Sequence, residues 1–199
     1  DAALEKLAKR METGIKCMLE SETKLLEVEY ELTSEEFHLR QVNDLFARKL
    51  ISFLDSDKCL LYHCRQQMSP EDSTLLVRAL AKRLAAILGK VWLQMRVNPL
   101  GGLMMQNDLR ILVDGLGSMM QTGSVRQEFS RLSALCWLVN LDSPEELVEA
   151  STLAASVQKL SGLSRDDIGN MLALRVDFEQ QPERIKAAVH RFLELRCED

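Results

Sequence analysis

The sequence predicts an all-α protein made of antiparallel helical bundles in series, and three observations carry that expectation. Leu, Ala, Met, Glu, Lys and Arg dominate while aromatic residues make up only 5% of the chain, a balance that favours helix over sheet by intrinsic propensity. Apolar residues recur at three-and-four spacing along most of the length, which puts them on one face of a helix. Helix-start signals, a hydroxyl side chain followed by proline or acids, stand at Thr33-Ser34, Ser69-Pro70, Ser143-Pro144 and Ser164. Counting starts gives eight helices joined by short polar connections, with no repeat period that would announce a solenoid.

Residues 2–32 carry Leu4, Leu7, Met11, Ile15, Met18 and Leu25 on one stripe. Thr33-Ser34-Glu35-Glu36 has the form of a capping box, so the chain breaks near Leu32 and a second long helix follows. Its apolar set is Val42, Leu45, Leu50, Phe53 and Leu60/Leu61. Ser69-Pro70-Glu71-Asp72 opens a third helix, with Leu76/Val77, Leu80, Leu84, Ile87/Leu88, Val91 and Met95, that stops before Asn98-Pro99.

Asn98-Pro99 and Gly101-Gly102 read as breakers, and Pro99, Gly101 and Gly102 as a tight structural corner where helices turn. Leu109, Leu112/Val113, Leu116 and Met119/Met120 then form one helical face, and Val125, Phe129, Leu132, Leu135/Cys136 and Val139 another. The turn Thr122-Gly123-Ser124 between them is too short for anything but an antiparallel pair. Asp142-Ser143-Pro144-Glu145-Glu146 starts a helix presenting Leu147, Ala150, Ala154, Val157 and Leu160, which Gly162 ends. Ser164 caps a short helix with Ile168, Leu172 and Val176 inward, and Pro182 starts the last, with Ile185, Val189, Phe192 and Leu195.

At 199 residues the chain can bury roughly 70% of the surface its unfolded form exposes, without disulfides. A division into an N-terminal helical unit, 1–67, and a C-terminal bundle, 68–199, follows from the signal at Ser69-Pro70. The net charge of −5 and pI near 5.4 leave no overall basic field for nucleic acid or an anionic membrane. No apolar run reaches the roughly 18–20 residues that span a bilayer. Five cysteines at irregular intervals fit free thiols in a reducing compartment.

The chemical constellations are sparse. Cys59 and His63 at i and i+4, with Cys64 adjacent, fall short of the four ligands a structural zinc requires. Gly101-Gly102 lacks the lysine and spacing of a phosphate loop. The pairs Met104/Met105 and Met119/Met120 read as core filler. Arg131 stands out because it falls on or beside the apolar face of Phe129, Leu132 and Leu135, where a guanidinium needs an acid. Asp167, three residues after Ser164, has its own local reading as a first-turn acid that complements the helix dipole.

Five elements in order, L-G-G-L (100–103), D-L-R (108–110), V-R-Q-E-F-S-R-L-S (125–133), L-V-N-L (138–141) and L-A-L-R-V-D-F (172–178), resemble the C-terminal part of subunit 4 of the conserved oligomeric Golgi (COG) complex. The likeness is good over 68–183, loose over 35–67, and only a helical pattern over 1–34. It implies a fragment of a longer protein, since that family is several times longer and this chain opens on Asp1 without an initiator Met. It implies the end of a CATCHR-type helical rod: a non-enzymatic vesicle-tethering subunit acting in intra-Golgi retrograde transport, peripheral on the cytoplasmic face of the Golgi or in the cytosol. The implied partners are other tether subunits, SNAREs and Sec1/Munc18-type proteins, with no cofactor, metal, nucleic acid or direct membrane insertion. In that family the arginine of R-L-S pairs with an acid, typically glutamate, at the start of the helix carrying L-A-L-R; the matching positions here are Arg131 and Asp167, and a buried pair implies a cost of roughly 3–5 kcal/mol for Arg131→Ala. An exocyst or Dsl1-type tether, or a generic helical scaffold, would share the periodicity without that wording. A thiol or metal enzyme would need a concave pocket with a perturbed titratable group, and a signalling bundle a contiguous exposed apolar groove.

Overall fold

Ser69 accepts a hydrogen bond from the Asp72 amide at 3.1 Å, Pro70 fills the first helical position, and the longest helix among the described residues starts there. A computed structural model describes residues 2–21, 30–43, 46–147, 158–160 and 162–195. Its helices are α1 (Ala2–Ser21), α2 (Ser34–Asn43), α3 (Phe46–Leu54), α4 (Leu60–Gln67), α5 (Pro70–Trp92), α6 (Pro99–Ser118), α7 (Ser130–Val139), α8 (Arg165–Leu174) and α9 (Glu183–Leu195), with a 3-10 turn at Pro144–Leu147. No strand is formed among the described residues; the fold is all-α. Of the positions expected to face inward, Leu25, Leu45, Ala150, Ala154 and Val157 lie outside the described residues, as do the side chains of Met18, Val42 and Leu195.

α5 is the axis of the core. Leu76, Val77, Leu80, Ala81, Leu84, Ala85, Leu88 and Trp92 are all buried, so its apolar stripe is wide enough to serve two neighbours. α1 lies on one side through Ala8, Met11 and Ile15, and Arg83 clamps it by binding Glu12 at 2.6 Å and Glu5. α7 lies on the other. Each fully buried Leu contributes about 1.5–3 kcal/mol by leaving water. One contiguous cluster runs from Ala8 to Phe192, so residues on both sides of the 67/68 division share a core.

Two expectations about boundaries fail. The long helix expected after Thr33 is three helices, α2 to α4. Ser56 Oγ donates to the Phe53 carbonyl at 2.7 Å, and Cys59 N–H to the Ser56 carbonyl at 3.0 Å; the Asp-Ser-Asp run offers the backbone side-chain partners that compete with helix. Arg65 then reaches back over this turn to Asp55 at 2.6 Å. Likewise α7 starts at Ser130 and not at Val125, because 125–130 is a series of i→i+3 turns. Val125 and Phe129 are nevertheless fully buried, which is why their spacing read as helix.

Three connectors meet at Val97. Its N–H donates to the Leu174 carbonyl at 3.0 Å, and its carbonyl accepts from Val176 N–H at 3.1 Å. Next to it, Asn98 N–H donates to the Tyr30 carbonyl at 3.1 Å. Parallel bridges therefore join Tyr30, Val97 and Arg175, segments that precede α2, precede α6 and follow α8.

Candidate functional site

Asn98 caps α6 by accepting from the Gly101 amide at 2.8 Å, and its side-chain amide donates to the Leu32 carbonyl at 2.7 Å. The structure places Pro99, Gly101 and Gly102 inside the first turn of α6, not at a corner between helices. Pro99 supplies the fixed φ that suits the first helical position. The glycines serve close approach. A Cβ on Gly101 would stand 1.6 Å from the Tyr30 carbonyl oxygen, and one on Gly102 would stand 2.7 Å from Val139 Cγ1. Asn140 donates to the Gly102 carbonyl at 3.0 Å, which sets the end of α7 against the start of α6 and makes the pair antiparallel. The positive φ of Gly123, 89°, turns the chain between them.

Arg131 and Asp167 are brought together. Nη2 lies 2.7 Å from Oδ1 and Nε 3.3 Å from Oδ2, a two-point contact joining α7 to α8. Asp167 is also the third residue of a capping box: Ser164 Oγ accepts from its amide at 3.1 Å and its carboxylate accepts from the Ser164 amide at 3.2 Å. Burial pushes the Asp167 carboxyl up, but the hydrogen bonds from Arg131 and Ser164 outweigh it and hold the carboxyl below the usual carboxylate range. The stability it contributes is thus present above the unfolded pKa and is lost as pH falls through the lower folded value. The Arg131 side chain is 39% exposed, so solvent screens the pair. Arg131→Ala is expected to cost about 1–2 kcal/mol in urea unfolding at pH 7, less than the figure for a fully buried pair, and to cost less still at pH 3; a cost that does not change with pH would reject the pairing as its source.

Among the described residues the core holds two charged side chains, Asp108 and Arg175. Arg175 is 3% exposed, and its guanidinium donates to the Leu138 carbonyl at 3.1 Å, the Leu141 carbonyl at 2.8 Å, and Asp177 at 3.0 and 2.6 Å. Leu138 lies in the last turn of α7 and Leu141 just past its C-cap Asn140, where carbonyls lack helical donors. One side chain thereby caps a helix from a distant connector. The Arg175 guanidinium in turn holds the Asp177 carboxyl below the usual range. Neither residue stands out in the sequence; the chain turns directly after Arg175, with Phe178 N–H donating to the Arg175 carbonyl at 3.2 Å, and that turn brings Asp177 back to the guanidinium.

Asp108, on α6, accepts from Tyr30 Oη at 2.9 Å across 78 residues of sequence. Its other oxygen has no partner, nor does the indole nitrogen of Trp92, whose ring meets Tyr30 edge-on at 6.4 Å. Burial raises the Asp108 carboxyl to about 7, against the lowering effect of the Tyr30 hydroxyl. Burial and the Asp108 charge keep the Tyr30 phenol well above its ordinary range, so it remains the donor. The sign for Asp108 is therefore opposite to that for Asp167: stability falls as pH rises from the unfolded carboxylate value to about 7. Asp108→Asn is expected to raise stability by on the order of 2–4 kcal/mol at pH 8, with most of the gain gone at pH 4. Equal melting shifts at both pH values would refute the assignment.

Three of the described thiols are quiet. Burial pushes the Cys59, Cys64 and Cys136 thiols up, away from the thiolate a nucleophile needs. Cys59 is the N-cap of α4 and buried, and the His63 ring nitrogen lies 2.6 Å from the Asp57 carbonyl oxygen. Among the described residues no group of three potential ligands could hold a metal, and no helix is long and apolar enough to cross a membrane.

These arrangements join helix to helix, and the sequence that forms them is similar to a set of proteins sharing one name. Curated relatives named conserved oligomeric Golgi complex subunit 4 match from Arabidopsis thaliana, 28% identical over 161 residues covering 80% of this chain and 21% of that protein, and from Mus musculus, 28% identical over 156 residues covering 78% and 19%. The protein of that name from Homo sapiens is 27% identical over 154 residues, covering 77% and 19%. This chain spans about a fifth of the length of the relatives it matches. The family model described as conserved oligomeric Golgi complex subunit 4, C-terminal, matches residues 6–169, taking in 6–34, where the likeness is only a helical pattern, and 35–67, where it is loose, and the chain belongs to that family.

Proposed function

We propose that this chain is the C-terminal part of a non-enzymatic, vesicle-tethering subunit of the COG complex, acting in intra-Golgi retrograde transport. The observation that carries the reading is the family match over residues 6–169. The work is mechanical: rigid helices hold surfaces toward the other COG subunits and toward SNAREs and Sec1/Munc18-type proteins, at the cytoplasmic face of the Golgi. Rigidity is supported by ties between distant segments, Arg131 to Asp167 and Arg175 to the end of α7. A peripheral attachment accords with the absence, among the described residues, of a helix able to cross a bilayer.

The test is affinity purification of the tagged subunit from cells, with and without the region 6–169, paired with an assay of Golgi glycosylation. The intact subunit should recover other COG subunits, and loss of the region should leave surface glycans under-processed. Recovery of exocyst or Dsl1-type components in their place, or normal glycans without the region, would overturn the reading.

A further inference from the structure

α2 and α7 both pack on α6, and an open groove of about 700 Å³ lies along α6 between them. Its floor runs from Leu103 to Asp114, a rise of about 16 Å, or three helical turns. The apolar lining is incompletely covered: Leu103 is 49% exposed, and Phe37, Val113 and Trp137 are half-buried. Amide side chains, Gln41, Gln106 and Asn107, stand among them.

Charge tells what the groove suits. Arg65, Arg83, Arg131 and Arg175 each meet a carboxylate. Arg110 and Arg126, which line the groove, do not meet one among the described residues; Arg110 donates only to the Asn107 amide oxygen, at 2.9 Å. Lys159 adds a cation against one of the lining residues, its Nζ 4.8 Å from the centre of the Trp137 ring. Asp114 is the single acid of the lining among the described residues. In a chain of net charge −5, this is a local excess of positive charge around an uncovered apolar trough.

We propose that the groove between α2 and α7 is a docking site for an acidic amphipathic helix of a partner protein. Such a helix would set apolar side chains at i, i+3/i+4 and i+7 against Phe37, Leu103 and Trp137. Its flanking carboxylates would meet Arg110 and Arg126 at the end of the groove nearer the start of α7. The trough supplies affinity through burial, and the arginines supply orientation and salt dependence. The proposal shares with the tether reading only the premise that the chain works through its surfaces.

The test uses a labelled synthetic 16-residue amphipathic helix with Leu on one face and Glu on its flanks, and a twin with Lys at every Glu, in fluorescence anisotropy with the full 199-residue chain. The Glu peptide should saturate, weaken as salt rises, and bind about tenfold or more weakly to the double variant R110E/R126E and to L103D. Both variants alter exposed side chains, and matching melting curves show that they fold. Equal binding of the Lys twin, or unchanged affinity in the variants, overturns the proposal. So does self-association that L103D abolishes, which would make the occupant a second copy, and so does retention on phosphatidylserine vesicles lost in R110E/R126E with the Glu peptide unbound. These failures leave the purification result untouched, and a failed purification leaves the peptide result standing.

Discussion

Arg175→Ala is expected to lower the unfolding free energy by about 3–5 kcal/mol, a large share of what a domain of this size holds in reserve. Removing the guanidinium strips donors from the Leu138 and Leu141 carbonyls and leaves the partly buried Asp177 without its cation. Lost carbonyl partners cost about 1–3 kcal/mol each when buried. Arg175→Lys should recover little, since an ammonium cannot present a fork to four acceptors. Urea unfolding gives the readout, as a lower midpoint at unchanged slope. The Asp177 carboxyl sits below its ordinary value only because of Arg175 and its local hydrogen bonds, so the variant should also lose part of the stability decline that the parent shows on acidification. A loss under 1 kcal/mol would mean that water takes over the guanidinium's bonds.

Gly101→Ala is expected to cost about 4 kcal/mol, at the upper end of single substitutions. The atoms that an alanine methyl would meet are backbone: the carbonyl oxygen, carbonyl carbon and Cα of Tyr30, at 1.6, 2.5 and 2.9 Å. No rotamer change relieves that. The segment 30–32 must move off α6, taking with it the Asn98–Tyr30, Asn98–Leu32 and Tyr30–Asp108 hydrogen bonds. Gly117→Ala is the control. It lies in the same helix with nothing within 4 Å of the added methyl, and should gain up to about 1 kcal/mol from helix propensity. Similar effects of the two alanines on the melting temperature would show that propensity, not contact, governs Gly101.

The class of fold was legible because helix periodicity is a local property, written in the spacing of Leu76, Leu80, Leu84 and Leu88. Boundaries were less so. Apolar positions continue in phase across the Ser56 turn and through the turns at Val125–Phe129, and burial does not care which backbone delivers it. Gly101-Gly102 reads as a corner because glycine's commonest work is turning the chain; here it admits a neighbour's backbone. Arg131 could be suspected from its place beside an apolar face, whereas its partner came only with the family resemblance. Tyr30 with Asp108, and Arg175 with the end of α7, depend on contacts 34 to 78 residues distant in sequence, which no local pattern encodes.

The junction at Val97 has a consequence for the order of synthesis. Its three participants, Tyr30, Val97 and Arg175, leave the ribosome far apart in time, and the last emerges when nearly nine-tenths of these residues have been made. Until then the first two can pair only with each other, and the carbonyls that close α7 wait for their arginine. Contacts of such sequence separation close late and slowly, so the nascent chain carries an unlocked hub until translation delivers the bolt.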